Sequence, residues 1–379
     1  MTNRTGRPML PPPVMHYCFL TVGNWEGNAS IVRSRELGTS FLRLRSDVTI
    51  SYVISDTPYN RGNLGLDPKA KIEFIPPGSK LQQTKARRAA LARLAPDYVH
   101  IINPSPYFWM TLAGTRWKVV SDYDEWPARR PYPLPRRTIE KFLDRWHRRR
   151  ASIRVVASHY MQDEFRARFG MESVYLPYAT YLGARDRNVP NPYAEPTAVY
   201  MGNLYPAYDH DLLIDAAVIL KQRGKLPAIK ILGGAPDIEA VRKQIRDLGV
   251  RIDLPGYLAG DDLWRHLVHA HVLVFPIRPT ILNLARCPSK TFAYAQTGRP
   301  VIANAVGEVV EVLGRGNDWP RYVDPTPQAF ADALERAMDE PRAPDVDYHL
   351  EHQNWDERAK TLLEAIDRDQ RGENPYVME

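Results

Sequence analysis

The chain has 379 residues, of which 44% are hydrophobic and 25% are charged, which is ordinary for a globular protein and long enough for two domains. No apolar run approaches the ~20 residues that a transmembrane helix needs, and the first residues lack the apolar core of a secretory signal. The two cysteines, Cys18 and Cys287, lie far apart in sequence, so we expect a cytoplasmic protein with reduced thiols.

The positive charge of the chain is concentrated in one segment. The whole chain carries a formal charge of +7, whereas residues 126–154 contain ten Arg and Lys residues and two acids, a net +8. Such a run often forms the solvated face of a helix, but Trp126, Phe142 and Trp146 lie among the arginines, as anchors at a membrane interface do. A solvated face and an anionic membrane surface or acidic substrate both stay open as interpretations. We expect no nucleic acid partner, because no binding motif accompanies the charge.

Strand and helix patterns alternate along the first half of the chain. Buried-strand patterns occur at 16–22, 48–54, 71–75, 98–102, 117–121, 153–157 and 174–176. Helical patterns occur at 28–45, 80–94 and 159–169, the first of them capped by Asn28 or Ser30. Residues 185–197 have the proline-rich, aperiodic composition of a linker.

The alternation resumes after the linker. Strand patterns occur at 198–201, 228–232, 251–254, 272–275 and 300–303, and helical patterns at 211–223, 237–248, 261–269, 327–338 and 354–366. Alternating strands and helices form parallel sheets covered on both faces. We therefore predict an α/β protein with two Rossmann-like, doubly wound domains that face a cleft, with residues 1–190 and 191–349 as the two domains.

One stretch, residues 271–305, has the features of a ligand site. It reads as a buried strand, a polar loop with Arg278, Asn283 and Arg286, and a helix opened by Pro288. In parallel sheets ligands bind beyond the carboxyl ends of the strands, where helix N-termini favour anions. The loop is therefore a candidate phosphate site, although its charged residues could also be solvated surface groups.

Several segments together resemble the GT-B glycosyltransferases of the large, mostly retaining group 1 class. YMGNLYPAYDHDLLIDA at 200–216 resembles the strand-to-helix segment below the donor phosphates, and IKILGGAPD at 229–237 resembles the second glycine-rich turn of that class. The residues Pro288, Lys290, Tyr294, Gly298, Pro300 and Val301 fit P-x-K-x-x-E-Y-x-x-x-G-x-P-V at every position but one. Residues 350–379 resemble the terminal helix that crosses back to the first domain in this class.

The resemblance implies a metal-independent hexosyltransferase that moves a sugar from a nucleotide sugar, with no cofactor, to a hydroxyl acceptor such as a glycan or a lipid-linked molecule in polysaccharide synthesis. Peripheral binding to the inner face of the membrane would fit the basic segment. The candidate donor-binding residues are Gly202, Asn203, Gly233, Gly256, Tyr257, Arg278, Asn283, Arg286, Pro288, Ser289, Lys290 and Thr291. The candidate acceptor-side residues are Gly27, Asn28 and Arg33, and the candidate catalytic residues are Asp122, Asp124 and Lys290. Either aspartate could act as a base on the acceptor hydroxyl, or both could be caps and partners of nearby arginines.

The chain departs from this class at four positions. Alanines occupy positions 285 and 293, where the class has a glutamate pair, and the second glutamate usually holds the donor ribose. Asn203 and Tyr208 occupy the positions of an arginine and a lysine below the phosphates. A non-catalytic GT-B module that scaffolds or regulates a partner is therefore the alternative function, and a GT-B epimerase or phosphorylase is a third.

Two further features suggest chemistry only weakly. His266, His269 and His271 are close in sequence, but no cysteine or carboxylate completes a zinc site, and we predict no metal. Cys287 has no visible base that would make it a nucleophile, so we predict a packing role.

Overall fold

A computed structural model describes residues 14–23, 29–62, 64–126, 132–180, 186–205, 208–316 and 318–377. It divides the chain into two compact units. Unit 1 contains the described residues up to 157, residues 161–177 and those from 355 onward, and unit 2 contains residues 158–160 and 178–354. The chain therefore passes into unit 2 before the predicted linker, because Thr180 already donates hydrogen bonds to the Gln353 carbonyl oxygen within unit 2.

Unit 1 is built on a sheet of seven parallel strands in the order β3-β2-β1-β4-β5-β6-β7. The strands are β1 (Met15–Leu20), β2 (Val48–Ser55), β3 (Lys71–Ile75), β4 (Tyr98–Ile102), β5 (Lys118–Tyr123), β6 (Ile153–Val156) and β7 (Val174–Tyr175). The helices are α1 (Ala29–Leu44), α2 (Pro58–Gly62), α3 (Lys80–Leu94), α4 (Pro106–Leu112), α5 (Leu134–Arg150) and α6 (His159–Phe169), of which α6 begins in unit 2.

Unit 2 is built on six parallel strands in the order β10-β9-β8-β11-β12-β13. The strands are β8 (Thr197–Met201), β9 (Ala228–Leu232), β10 (Ile252–Gly256), β11 (Val272–Phe275), β12 (Val301–Ala303) and β13 (Arg321–Tyr322). The helices are α7 (Asp211–Gln222), α8 (Ile238–Leu248), α9 (Gly260–Val268), α10 (Ile281–Ala285), α11 (Ser289–Thr297), α12 (Glu308–Leu313) and α13 (Pro327–Asp339).

In each sheet the order in which successive strands are added reverses at one place. In unit 1 the reversal lies between β1 and β4, and in unit 2 it lies between β8 and β11. This strand order is that of the doubly wound Rossmann fold, as the sequence predicted. Ligands of such sheets bind beyond the carboxyl ends of the strands on either side of the reversal, so the switch point of each unit is where a site is sought.

The last helix, α14 (Trp355–Gln370), belongs to unit 1 and packs against α1. Trp355 and Leu362 of α14 are buried, and Arg45 Nη1, just after α1, lies 2.6 Å from Asp367 Oδ1. Apolar burial and an ion pair thus attach the end of the chain to its first helix. Among the helices of the described residues, none has both the length and the apolar character required to cross a bilayer.

Candidate functional site

Two glycines keep the switch point of unit 2 open. Gly202 follows β8 with a φ of +154°, and a Cβ at this position would overlap the Lys290 ammonium and the Tyr200 hydroxyl. Gly233 follows β9, and a Cβ there would overlap the carbonyl oxygen of Gly202. Only glycine allows this close approach of two loops and a lysine, so both predicted donor-site glycines lie at the centre of the arrangement.

Lys290 brings a positive charge to the same place. Its Nζ donates a hydrogen bond of 3.1 Å to the Tyr200 hydroxyl and lies 4.8 Å from the centre of the Phe275 ring. Part of the side chain reaches solvent, but protein atoms enclose the ammonium. This burial, together with the positive charge of Arg286, lowers the pKa of Lys290 to about 7. No carboxylate of the described residues lies within ion-pair distance of Lys290, so the position favours an anionic ligand.

Arg278 is occupied by two carboxylates. Its Nη1 lies 2.9 Å from Asp209 Oδ1, and its Nη2 lies 2.6 Å from Asp211 Oδ2. Asp209 also accepts the backbone N–H of Arg278 at 3.0 Å and adopts a φ of +53°, a conformation that Asp tolerates better than most residues. Arg278 therefore holds the loop before α7 against the loop after β11, and its assignment to the donor phosphates stays a prediction.

Two buried polar atoms, one on α10 and one on α11, lack hydrogen-bond partners among the described residues. Asn283 donates from Nδ2 to Asp209 Oδ2 and to the Arg278 carbonyl oxygen, both at 2.8 Å, and it is buried on the one-turn helix α10 instead of the predicted loop. The Asn283 Oδ1 and the Thr291 Oγ1 have no hydrogen-bond partner among the described residues. Buried polar atoms are normally satisfied, so water or a ligand has to supply these bonds.

A cation also lies at Tyr208, where the family has a lysine. The guanidinium of Arg286 lies 4.8 Å from the centre of the Tyr208 ring, as in a cation–π contact. The substituted position thus retains a neighbouring positive charge that comes from the segment between α10 and α11. Its proximity to Lys290 is reflected in the lowered pKa of the lysine.

The other predicted donor residues are spread over the same sheet edge. Pro288 and Ser289 begin α11, and Asn203 is half-buried after β8. Gly256 ends β10 and the exposed Tyr257 follows it, and β10 lies two strands from β8. Among the predicted donor-binding residues, Gly256 and Tyr257 are therefore the farthest from Lys290 along the sheet.

The alanines that replace the family glutamates occupy different surroundings. Ala285 is fully buried, and its carbonyl oxygen accepts a hydrogen bond of 2.9 Å from Ser158 Oγ. Ala293 is half-buried on α11.

Several site residues escaped the sequence analysis. Tyr200, Phe275 and Asp209 read as ordinary strand or loop residues, and their closeness to Lys290 or Arg278 follows only from the strand order. Tyr294 was recognised as a motif position, yet its role is structural. Its hydroxyl accepts the Met201 N–H at 2.7 Å and contacts the Val274 carbonyl oxygen at 3.2 Å, which ties β8 to β11.

In unit 1 the predicted acceptor residue and the predicted base form one buried ion pair. Arg33 Nε lies 2.6 Å from Asp122 Oδ2, and both side chains are fully buried. His100 Nε2 lies 3.1 Å from the same carboxylate, and Tyr17 donates to His100 Nδ1 at 2.7 Å. Burial alone would raise the pKa of Asp122, but Arg33 and His100 hold it below its ordinary value. Arg33 and Asp122 thus belong to one buried network, and their assignments to acceptor binding and catalysis stay predictions.

Asp124 lies closer to the surface at the end of the same strand. It is nearly buried and accepts hydrogen bonds from Ser30 Oγ at 2.6 Å and from the Asn103 side chain. It is therefore the better placed of the two predicted carboxylates. The predicted acceptor-side residues Gly27 and Asn28 lie outside the described residues.

The histidines predicted not to hold a metal each bond to a different group. His266 Nδ1 lies 3.0 Å from the Tyr193 hydroxyl, and His269 and His271 each contact a different backbone carbonyl. The side chain of Cys287 is buried.

The basic segment forms α5, whose outer face carries both apolar and basic residues. Leu134 is 79% exposed and Phe142 is 51% exposed. Exposed basic residues on the same helix are Arg136, Arg137, Lys141, Arg145 and Arg149. Trp126 is not an interfacial anchor, because it is buried against Phe165.

Comparison with known proteins places this geometry in context. Residues 195–340 match the model of the family described as glycosyl transferases group 1. A GDP-mannose-dependent alpha-(1-6)-phosphatidylinositol monomannoside mannosyltransferase of Mycobacterium tuberculosis is 31% identical over 135 residues, which are 32% of this chain and 35% of that protein. The match thus spans about a third of the length of this curated relative.

Solved structures show the same fold over nearly the whole chain. A glycosyltransferase from Rickettsia africae aligns with a TM-score of 0.70 at 13% identity, covering 94% of this chain and 99% of its own. HepE from Anabaena in complex with UDP-glucose aligns with a TM-score of 0.67 at 13% identity, covering 93% and 99%. At such identities the likeness shows the GT-B fold and nothing finer.

Proposed function

Because residues 195–340 match the family model of group 1 glycosyltransferases, we propose that this protein transfers a sugar from a nucleotide-activated donor to a hydroxyl acceptor. In this proposal unit 2 binds the donor and unit 1 binds the acceptor. The observation that carries it is the Lys290 ammonium, which lies at the switch point beside Gly202 and has no carboxylate partner in the described part of the chain. The diphosphate of a nucleotide sugar supplies the negative charge that this position favours.

The site cations match the chemistry of the step. When the bond between the sugar and the diphosphate breaks, negative charge grows on the leaving phosphate, and cations near it stabilise the transition state more than the bound donor. Lys290 and Arg286 lie close enough for the charge of one to lower the pKa of the other. Because side chains supply these charges, we propose metal-independent hexosyl transfer without a bound cofactor.

The named ligands of similar proteins guide the choice of donor. The relative from Mycobacterium tuberculosis is named for GDP-mannose, and HepE was solved with UDP-glucose. These two donors are therefore tested first. Thymidine-diphosphate sugars follow, because a deoxyribose makes the absent ribose-binding glutamate less important.

The surface of α5 supports an acceptor at a membrane. Exposed Leu134 and Phe142 beside exposed arginines form the pattern of an interfacial anchor on anionic lipid. We include in the proposal a lipid-linked or glycan acceptor and a cytoplasmic protein bound peripherally to the inner face of the membrane.

Thermal unfolding with a panel of nucleotide sugars tests the donor site. We expect one donor to raise the melting temperature of the wild type, and Lys290→Ala to lose most of this rise. Lys243→Ala, on the exposed face of α8, is the matched control and should keep it. If no uridine, guanosine, thymidine, adenosine or cytidine diphosphate sugar shifts the wild type, the donor proposal fails.

A second measurement distinguishes a catalytic function from that of a non-catalytic scaffold. Transfer of radiolabelled sugar from the binding donor to cell-envelope lipids or glycans should require Lys290. If Lys290→Ala leaves the cellular function of the protein intact, the non-catalytic module is the correct interpretation.

A further inference from the structure

Unit 1 contains a buried arginine without a counter-ion. Arg87, on α3, is 1% exposed, and its Nη2 donates to Gln83 Oε1 at 3.0 Å. Within the described residues, its Nε and Nη1 have no hydrogen-bond partner and no carboxylate lies within ion-pair distance. A buried charge in this state is unfavourable, and burial accordingly lowers the pKa of Arg87. Its position therefore calls for an anion.

The guanidinium lies near the edge of the sheet where ligands bind. Helices α3 and α4 follow β3 and β4, so both start at the carboxyl edge of the sheet. Side chains of a helix slant toward its N-terminus, which directs Arg87 toward that edge. Its guanidinium carbon lies 5.3 Å from the centre of the Tyr107 ring, on the first turn of α4. Lys80 Nζ lies 5.9 Å from the same ring.

The next arginine on α3 shows what a structural role looks like here. Arg88 donates to the carbonyl oxygens of Met110, Thr111 and Ala113 at the end of α4, at 2.8 to 3.0 Å. Arg88 thereby fastens α3 to α4. Arg87 makes no such bonds to α4, although it lies between the same two helices.

We propose that Lys80, Arg87 and Tyr107, the α3–α4 cluster, bind a phosphoryl group. The two unpaired N–H groups of Arg87 match two phosphate oxygens, Lys80 adds a second positive charge, and the Tyr107 hydroxyl is a third kind of donor. The half-buried Tyr107 ring covers the guanidinium, and its rotation opens the site. If the proposed function holds, the cluster defines the acceptor as a phosphate-bearing alcohol. That last step rests on the proposed function, whereas the phosphoryl site does not.

The test uses a protein whose donor site cannot respond to phosphate. In a Lys290→Ala background, thermal unfolding is followed with inorganic phosphate, with glycerol 3-phosphate and with phosphatidylglycerol vesicles, each against chloride of equal ionic strength or phosphatidylcholine vesicles. We expect a phosphoryl-specific rise of several degrees that is absent in Arg87→Met and reduced in Lys80→Met. Arg93→Met is the control, because Arg93 is exposed on the same helix and already paired with Glu73.

The stability of the variant without ligand is the second readout. Arg87→Met should melt at or above the parent temperature, because an apolar side chain of similar length replaces an uncompensated charge. A response to soluble phosphate or its ester that needs Arg87 identifies a free phosphoryl site. A response to phosphatidylglycerol alone that needs Arg87 identifies a lipid headgroup.

Two results would overturn the site. One is the absence of a phosphoryl response in the parent, and the other is a response that Arg87→Met retains. If Arg87→Met does not fold, Lys80→Met decides, because Lys80 is exposed and its loss leaves the core intact. The donor response of a protein with intact Lys290 should survive Arg87→Met, so failure of this site and failure of the donor proposal are separate results.

Discussion

At the scale of single residues, the lowered pKa of Lys290 predicts that donor binding depends on pH. Its pKa of about 7, lowered by burial and by Arg286, leaves much of the ammonium deprotonated just above neutrality. A bound diphosphate favours the charged form, so binding takes up a proton and weakens as pH rises. Between pH 7 and 8.5 we expect the dissociation constant of the identified nucleotide sugar to rise by up to about tenfold per pH unit.

Calorimetric titration over this pH range checks the expectation. A nucleotide sugar is the right ligand, because its esterified diphosphate does not titrate there as a terminal phosphate does. Lys290→Arg should bind with a flat pH profile, since guanidinium stays charged. A wild-type profile as flat as that of Lys290→Arg would show that Lys290 is not the titrating group.

Asp122 offers a second prediction at this scale, because the structure makes it a partner of Arg33. Asp122→Asn leaves a buried guanidinium without a counter-charge, and we expect it to destabilise unit 1 by about 3–5 kcal/mol. Folding lowers the pKa of Asp122. The stability that its charge contributes in the wild type is therefore fully present above the unfolded pKa of ~3.9, and it is lost as pH falls through the lower pKa of the folded state.

Urea unfolding followed in unit 1 measures the effect, with Asp124→Asn as the comparison. A stable Asp122→Asn variant that binds donor normally but transfers no sugar would instead support Asp122 as a catalytic base.

Single residues were predictable from the sequence where a motif fixes them. Lys290 was singled out because it occupies the lysine position of a motif that continues with a glycine and a proline at fixed spacing. Asp209 and Arg87 were not, since their meaning depends on which groups surround them after folding. Arg278 was singled out as a loop arginine, but its ion pairs with two aspartates could not be predicted, because the aspartates come from another loop of the sheet edge.

At the scale of elements, the two glycines after β9 make a matched pair. A Cβ at Gly233 would overlap the Gly202 carbonyl oxygen, whereas a Cβ at Gly234 would meet only Asn203 Oδ1 at 3.9 Å. Gly233→Ala therefore has to separate the loops after β8 and β9, and we expect donor affinity to fall at least tenfold. Gly234→Ala should bind almost as the wild type does.

Donor titration of both variants checks this, with circular dichroism to confirm that each is folded. Equal affinities would mean that the approach of the two loops does not shape the site.

The long elements were predictable and the short ones were not. The bounds of α3, β4, α6, β9 and β11 coincide with the sequence patterns, because buried strands and long amphipathic helices have clear periodicities. The helices α2, α4, α10 and α12 are too short to show a helical stripe, and β13 has only two residues. The sequence patterns therefore do not show the helices that carry two candidate site residues, Tyr107 on α4 and Asn283 on α10.

At the scale of the whole molecule, α5 should decide attachment to membranes. A basic residue near an anionic surface contributes about 1 kcal/mol, so reversing two of them should weaken vesicle binding at least about tenfold. We expect Arg137→Glu/Lys141→Glu to lose binding to phosphatidylglycerol vesicles in a flotation assay. The control is Lys243→Glu/Arg246→Glu, on the exposed face of α8.

Wild-type protein that stays unbound at low salt would contradict the membrane proposal. Wild-type and α5-variant proteins that float equally would assign binding to another surface.

The sequence predicted two doubly wound units because its patterns alternate twice, but it misjudged where the chain changes units. A proline-rich composition marked residues 185–197 as the linker, whereas the change occurs at residues 177 and 178. Composition indicates local flexibility. It carries no information about the hydrogen bonds that Thr180 donates to the Gln353 carbonyl oxygen, far along the chain.

Unit 1 is assembled from segments on both sides of unit 2 in sequence, with α14 packed on α1. A ribosome therefore releases every residue of unit 2 before it releases the helix that covers α1. Domains generally fold in the order of their synthesis, but here the domain begun first is completed last. During that interval the nascent chain exposes the apolar face of α1. A chaperone that binds this face, or a termination of synthesis before α14, would affect unit 1 while unit 2 is already folded.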